Sequence, residues 1–243
     1  MGHVLGLDDY YDYGSTDYCV AGGFSMQDYN VGGHEPFSVM AYGWADPYVP
    51  LKSCQMTIGA FQDTHDFILL TPGMNSNYSV FDEYLLLELY TPTGLNAFDS
   101  TYQYSGGYPQ GPSIPGIRLW HVDARLYNYY NGNVGTNANN NGVILMNNNT
   151  CEGERLSELN DGHGEDWDLL KLIRYDQNGT KPLHTTNALS GTDLFTAGKS
   201  FTFDSYSSQF AQNSLNSGED FKWSFTVDSV SLTSATISLV LSN

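Results

Sequence analysis

Near the C-terminus Phe225 and Val227, then Ile237, Leu239 and Leu241, recur at every second position on the two sides of a polar segment, Asp228 to Ser234. Period-two alternation puts these side chains on one face of an extended chain, so the region reads as a half-buried β pair and not as an amphipathic helix. Other short apolar stretches have strand length and end in turn-forming residues: Gln55 to Ile58, Tyr84 to Tyr90, Ile117 to Val122, Val143 to Met146, Leu169 to Ile173 and Ser200 to Phe203. The expected fold is mainly β, with a sandwich-like region and a few short helices. One helix is expected over Gly2 to Leu7, broken at Gly6. Another starts at Pro36, carries Phe37, Met40 and Trp44, and stops between Gly43 and Pro47.

The shift from helix-compatible to strand-compatible sequence falls near residue 60, which divides the chain into 1–60 and 61–243. The second part carries complete strand patterns and is expected to fold by itself. Residues 1–60 are expected to depend on it, because Val4, Leu5, Leu7, Phe24, Phe37, Met40 and Trp44 are too few for a core. Residues 127–150 are almost only Asn, Gly and Tyr around a Val143 to Met146 island. That composition reads as an exposed insertion whose Asn/Tyr surface offers stacking and hydrogen bonds to a glycan.

Charge narrows the classes of partner. Nine Lys+Arg against 27 Asp+Glu give a formal net charge of -18, which repels nucleic acid and anionic membranes. With 40% hydrophobic residues the chain has the material for a core and is not a disordered acidic tail. Abundant Gly, Tyr, Asn, Ser and Thr with very few Lys or Arg suit a turn-rich secreted β protein. Three cysteines, Cys19, Cys54 and Cys151, allow one disulfide such as Cys19 with Cys54, and their spacing is not that of a cysteine zinc site. No apolar run approaches the ~18 residues of a membrane span. The first residues have neither a basic n-region nor a cleavage site, so a secreted parent would carry its signal upstream.

The chemistry-bearing pattern is His3-x-x-Gly6-x-x-Asp9, the second half of the zinc signature H-E-x-x-H-x-x-G-x-x-[H/D]. In that signature two histidines one helical turn apart ligate zinc and the glycine turns the chain out of the helix. The third ligand then arrives from the following loop. His3 and Asp9 are the metal-ligand candidates. The other His and the general-base Glu would immediately precede Met1, so the chain as written is expected to lack catalysis.

The run Gly2 to Asp12, GHVLGLDDYYD, resembles the zinc segment of the immune inhibitor A family of secreted bacterial metallopeptidases. Similar fragments follow in order: Gly22-Gly23-Phe24-Ser25-Met26, His34-Glu35-Pro36-Phe37-Ser38, Gly43-Trp44-Ala45-Asp46-Pro47, Glu83 to Glu88, Gly116 to Asp123, and Asp193-Leu194-Phe195 with Gly198. The resemblance implies that residues 1–60 are the C-terminal part of a metzincin-like catalytic domain. It also implies zinc as cofactor and proteins or peptides as substrates. Such enzymes place a methionine in a tight turn under the metal. Ser38-Val39-Met40-Ala41-Tyr42 matches S-x-M-x-Y, with Tyr42 as a further oxygen near the zinc. Position within the resemblance instead makes Met26 the turn methionine and Met40 a core residue. Two departures stand out: Leu89-Tyr90 replaces the Asn-Arg that the family tends to carry after Glu88, and the Asn-rich insertion is foreign to its core.

Asp8, Asp12, Asp17 and Asp28 offer enough oxygens for a calcium ion, the competing reading being a solvated acidic loop. His121 and Asp123 share a strand face with Leu119 and read as a structural polar pair, while His34 and Glu35 read as a helix-start pair. The alternative to a peptidase is a non-catalytic extracellular β module that binds protein or glycan.

Overall fold

The computed structural model describes residues 2–7, 9–11, 19–28, 32–72, 78–103, 105, 108–130, 133–134, 142–145, 168–176, 181 and 187–242, with backbone alone for 127–130, 133–134, 142–145 and 212. The chain is mainly β, with a few short helices. Its strands are β1 (Cys54–Gly59), β2 (Phe67–Leu70), β3 (Glu83–Tyr90), β4 (Gly116–Asp123), β5 (Leu126–Tyr130), β6 (Asn133–Val134), β7 (Gly142–Leu145), β8 (Leu170–Ile173), β9 (Ser200–Thr202), β10 (Trp223–Val230) and β11 (Ser234–Leu241). The α-helices are α1 (Pro36–Ala41), α2 (Phe61–Thr64), α3 (Ala97–Thr101) and α4 (Phe203–Tyr206).

Two antiparallel four-stranded sheets carry the architecture, an outer one in the order β1-β11-β10-β9 and an inner one in the order β2-β3-β4-β8. The alternating C-terminal segments form the β10–β11 hairpin, with Phe225 opposite Leu239 and Val227 opposite Ile237. Their apolar face packs with Phe201 on one face of the inner sheet, against Leu85, Leu87, Leu89, Ile117 and Leu119. The other face of the inner sheet carries Tyr84, Leu86, Trp120 and Val122. It is covered by Leu7, Tyr10, Phe24, Phe37 and Met40 from the N-terminal segment. Every residue of β2, β3, β4 and β8 is buried. A sheet covered on both faces removes the polar alternation that a one-sided sheet would show.

The N-terminal segment is thus a third layer on the inner sheet. Residue 60 falls between β1 and α2, within a shared interior: β1 is an edge strand hydrogen-bonded to β11 along six residue pairs. A chain starting at residue 61 would lose that edge and bare the Trp120 face. It is expected to melt without a cooperative transition, which far-UV and near-UV circular dichroism would register.

Two local expectations change. Residues 126–145 contain a small sheet ordered β6-β5-β7, so part of the Asn/Tyr-rich insertion has strand backbone. Cys19 and Cys54 share no disulfide, and Cys54 lies on the edge strand of the outer sheet, paired with Leu239. Cys151 lies outside the described residues. Among the described residues no helix is long and apolar enough to cross a membrane.

Candidate functional site

Gly2–Leu5 forms one turn of 3-10 helix, and Gly6 follows at φ +94°, a conformation open to glycine because it has no Cβ. The turn is closed by Gly6 N–H donating to the His3 carbonyl at 3.1 Å and Leu7 N–H donating to the Gly2 carbonyl at 3.2 Å. Its consequence is that Asp9 returns to His3: the imidazole Nε2 lies 3.0 Å from Asp9 Oδ1. The other ring nitrogen, Nδ1, lies 2.9 Å from the Leu7 carbonyl and 3.0 Å from the Gln27 side-chain amide. The Leu7 carbonyl only accepts and the Gln27 amide nitrogen only donates, so the two call for opposite tautomers; the shorter contact, to Leu7, puts the proton on Nδ1 and leaves Nε2 to the carboxylate. Such a lone pair and a carboxylate repel each other unless a proton or a cation lies between them. The His3 side chain is 60% exposed and that of Asp9 16%, so the pair faces solvent.

The residues behind the pair come from the segment 23–42. Ser25 to Asp28 is a turn closed by Asp28 N–H donating to the Ser25 carbonyl at 2.8 Å. Met26 sits in that turn, half-buried, next to the Gln27 that touches His3. Met40 lies inside α1 and packs in the N-terminal core. The Tyr42 hydroxyl donates to the Leu5 carbonyl at 2.7 Å, and its ring stacks on Trp44 at 5.1 Å. Tyr42 therefore borders the His3 turn, as Gln27 does, and Gln27 was not singled out from the sequence.

Glu35 ties the turn to α1. It is the N-cap, accepting from Ser38 N–H at 2.9 Å and from the Ser38 hydroxyl, while Ser25 Oγ donates to its second oxygen at 2.5 Å. This is a helix-start role, in line with the residue's place ahead of Pro36. His34 packs its ring against Trp44 at 5.7 Å. The Asp28 carboxyl lies inward and accepts from Gly23 N–H at 2.6 Å. Burial pushes its pKa up to about 7. The Gly23 hydrogen bond and Arg174 act downward, and Glu35 and Asp9 add to the rise.

Beneath this turn lies a buried ion pair that the sequence reading missed. Arg118 and Glu88 face each other across β3 and β4, on the side of the inner sheet that meets the N-terminal layer. Arg118 Nη2 is 2.8 Å from Glu88 Oε1, and Arg118 Nη1 donates to the Phe24 carbonyl at 2.9 Å. Trp120 Nε1 donates to the same Glu88 oxygen at 2.8 Å. Each is an isolated charge inside an apolar strand, Glu88 in LLLELY and Arg118 in GIRLW, and that is the signal that could have found them.

His121 and Asp123 occupy the opposite face, toward the outer sheet. His121 Nε2 lies 2.7 Å from Glu83 Oε1, whereas Asp123 is held by Arg125 and by Asn216 Nδ2 at 2.9 Å. Glu83 joins the two by also accepting from Asn216 and Ser217 N–H, each at 2.7 Å. This network fastens the segment before β10 to the sheet and stands apart from His3.

Two donors 3.0 Å apart fit half of a zinc shell, since the edge of a tetrahedron with ~2.0 Å bonds is ~3.3 Å. Among the described residues no group of three His, Cys, Asp or Glu side chains is placed to hold a metal ion. Of the calcium candidates, Asp28 is described and lies inward, and Asp8, Asp12 and Asp17 lie outside the described residues. No family model, no curated protein and no solved structure matches this chain.

Proposed function

We propose that residues 1–60 form one wall of the metal centre of a secreted zinc endopeptidase of the immune inhibitor A type. His3 and Asp9 would be two of the ligands of a centre that also needs a further ligand and a general base. The observation that carries the reading is the convergence of His3 Nε2 and Asp9 Oδ1 across the Gly6 turn, with Nδ1 anchored on a backbone carbonyl. Metal-ligating histidines are held in that way, the second nitrogen fixing the tautomer.

Zinc, when bound, polarises a scissile carbonyl and supports attack by water. This chain's own residues would orient that centre. Leu7 fixes the imidazole, Gln27 abuts it, and Tyr42 holds the Leu5 carbonyl and keeps the turn closed. Met26 and Met40 remain the two turn-methionine candidates, Met26 being the one next to a residue that touches His3.

Two protein ligands are expected to bind zinc weakly, because affinity follows ligand count. Isothermal titration should show low-affinity binding that is lost in both His3→Ala and Asp9→Ala. Tight stoichiometric binding that survives His3→Ala would remove the site. Protease assays should show no cleavage by the chain as written, since a general base contributes about 10²–10⁴-fold and none stands beside the pair among the described residues. A version carrying His-Glu ahead of Met1 is expected to cleave casein in a chelator-sensitive manner. Failure of that folded, zinc-loaded version would favour the binding-module reading.

A further inference from the structure

The connection between β3 and β4, residues 91–115, contains a single charged residue, Asp99, in a chain of net charge -18. Asp99 is itself buried, its Oδ2 accepting from Gly32 N–H at 2.9 Å. The outward side of this connection is therefore uncharged. It is also apolar: Leu95 is 62% exposed, Phe98 71% and Tyr102 60%. Their spacing of three and four along the Gly94–Asn96 turn and α3 puts them on one side. The chain folds back beside α3, Gln110 Nε2 donating to the Ser100 carbonyl at 2.8 Å and Gly111 N–H donating to the Asp99 carbonyl at 2.6 Å, and Tyr108, two residues before Gln110, is 43% exposed. Behind the strip, the Tyr90 hydroxyl donates to the Pro112 carbonyl at 2.8 Å, which ties the connection to the inner sheet. A fixed, contiguous exposed apolar strip marks a binding surface.

We propose that Phe98, Tyr102 and Tyr108 form a platform for a neutral polysaccharide. The rings would stack on the apolar faces of sugar units, and the exposed Gln103 would bond hydroxyls at the edge. Charge selects this occupant. A polyanion or a second copy of this chain is repelled by the overall -18. A basic protein partner is drawn to the carboxylates that lie elsewhere, whereas a neutral polymer has no charge to match and meets here an outward side without any. Phe98 and Tyr102 are one helical turn apart, ~6 Å along the axis, close to the repeat of a sugar chain. The surface is made by residues remote in sequence from His3 and Asp9 and needs no metal.

Native affinity electrophoresis of the intact chain in gels containing hydroxyethyl cellulose, laminarin or galactomannan tests this, with alginate as the anionic control. Retardation by at least one neutral glycan is expected, insensitive to added salt and to chelator. Phe98→Ala and Tyr102→Ala should each weaken it about tenfold or more. Both side chains are exposed, so unchanged circular dichroism should confirm that the variants fold. Retardation by none of the three neutral glycans, or by alginate alone, would overturn the proposal. So would concentration-dependent self-association in sedimentation that Phe98→Ala abolishes, which would make the strip a protein interface. Retention of glycan binding in His3→Ala would separate this surface from the proposed metal centre.

Discussion

Arg118→Ala is expected to destabilise the protein by about 3–5 kcal/mol, the cost of leaving a buried partner charge without compensation. Glu88 is fully buried, and its remaining hydrogen bond would be the one from Trp120. Burial already raises the Glu88 carboxyl above its usual range, with Arg118 acting against that rise, so removal of the guanidinium drives it further toward the neutral acid. The substitution also frees the Phe24 carbonyl and withdraws a cation from above the Tyr90 and Trp120 rings, 5.1 and 5.3 Å from their centroids. Replacing both partners at once, as Glu88→Leu with Arg118→Met, should recover most of the loss. Glu88 Oε2 and Arg118 Nε have no hydrogen-bond partner among the described residues, so the pair is imperfectly satisfied even when intact. Urea denaturation of the two single variants and the double variant measures the coupling directly. A double variant whose loss equals the sum of the two single losses would mean that Glu88 and Arg118 are not coupled.

Stability should peak in mildly acidic buffer and fall toward pH 8, with Asp28 and Glu83 setting the two limbs. The folded-state pKa of Asp28 is pushed up to about 7 from an ordinary 3.8, chiefly by burial. Between those values the folded chain keeps a proton that the unfolded chain releases, so stability falls as pH rises through the window, by up to ~4 kcal/mol. Glu83 goes the other way. Its carboxyl is buried, which acts upward, but His121, the Ser217 bond and Arg125 outweigh burial and bring it down to about 2. Its contribution is present above the unfolded value near 4.5 and is lost as pH falls toward 2, a change of ~3 kcal/mol. Asp28→Asn should flatten the alkaline limb and be more stable than the parent at pH 8, while Glu83→Gln should remove the acid limb. Denaturation midpoints across pH in metal-free buffer would show both; an Asp28→Asn variant no more stable than the parent at pH 8 would contradict the burial of that carboxyl.

The sequence made the β10–β11 hairpin legible because one face of the outer sheet meets water and imposes alternation. The inner sheet is covered on both sides, which is why Phe67–Leu70, four apolar residues in a row without alternation, was not recognised as β2. The N-terminal layer was underrated for a related reason. Leu7, Phe24, Phe37 and Met40 are too few to close a core among themselves, but they serve as the cover of a core whose other half comes from later strands, from Phe67 to Leu172. At the site, His3, Gly6 and Asp9 are close in sequence and joined by one turn, so their meeting could be read from spacing. Gln27 and Arg118 reach the same layer through contacts 24 and 94 residues apart in sequence, which no local pattern encodes. His121 and Asp123 were correctly placed on one strand face. Their connection through Glu83 and Asn216 depends on β3 and on the segment before β10, and so required the fold.

The most direct measurement of the central claim, that His3 and Asp9 converge on a metal, is a zinc titration followed by long-range ¹H–¹⁵N correlation of the histidine rings. His3 Nε2 is expected to be the ring nitrogen whose resonance moves on zinc addition, with Nδ1 remaining protonated against the Leu7 carbonyl, and Asp9→Asn is expected to suppress the shift. A His3 ring unmoved at millimolar zinc, or one whose response is the same in Asp9→Asn, would show that the two side chains form an ordinary surface pair.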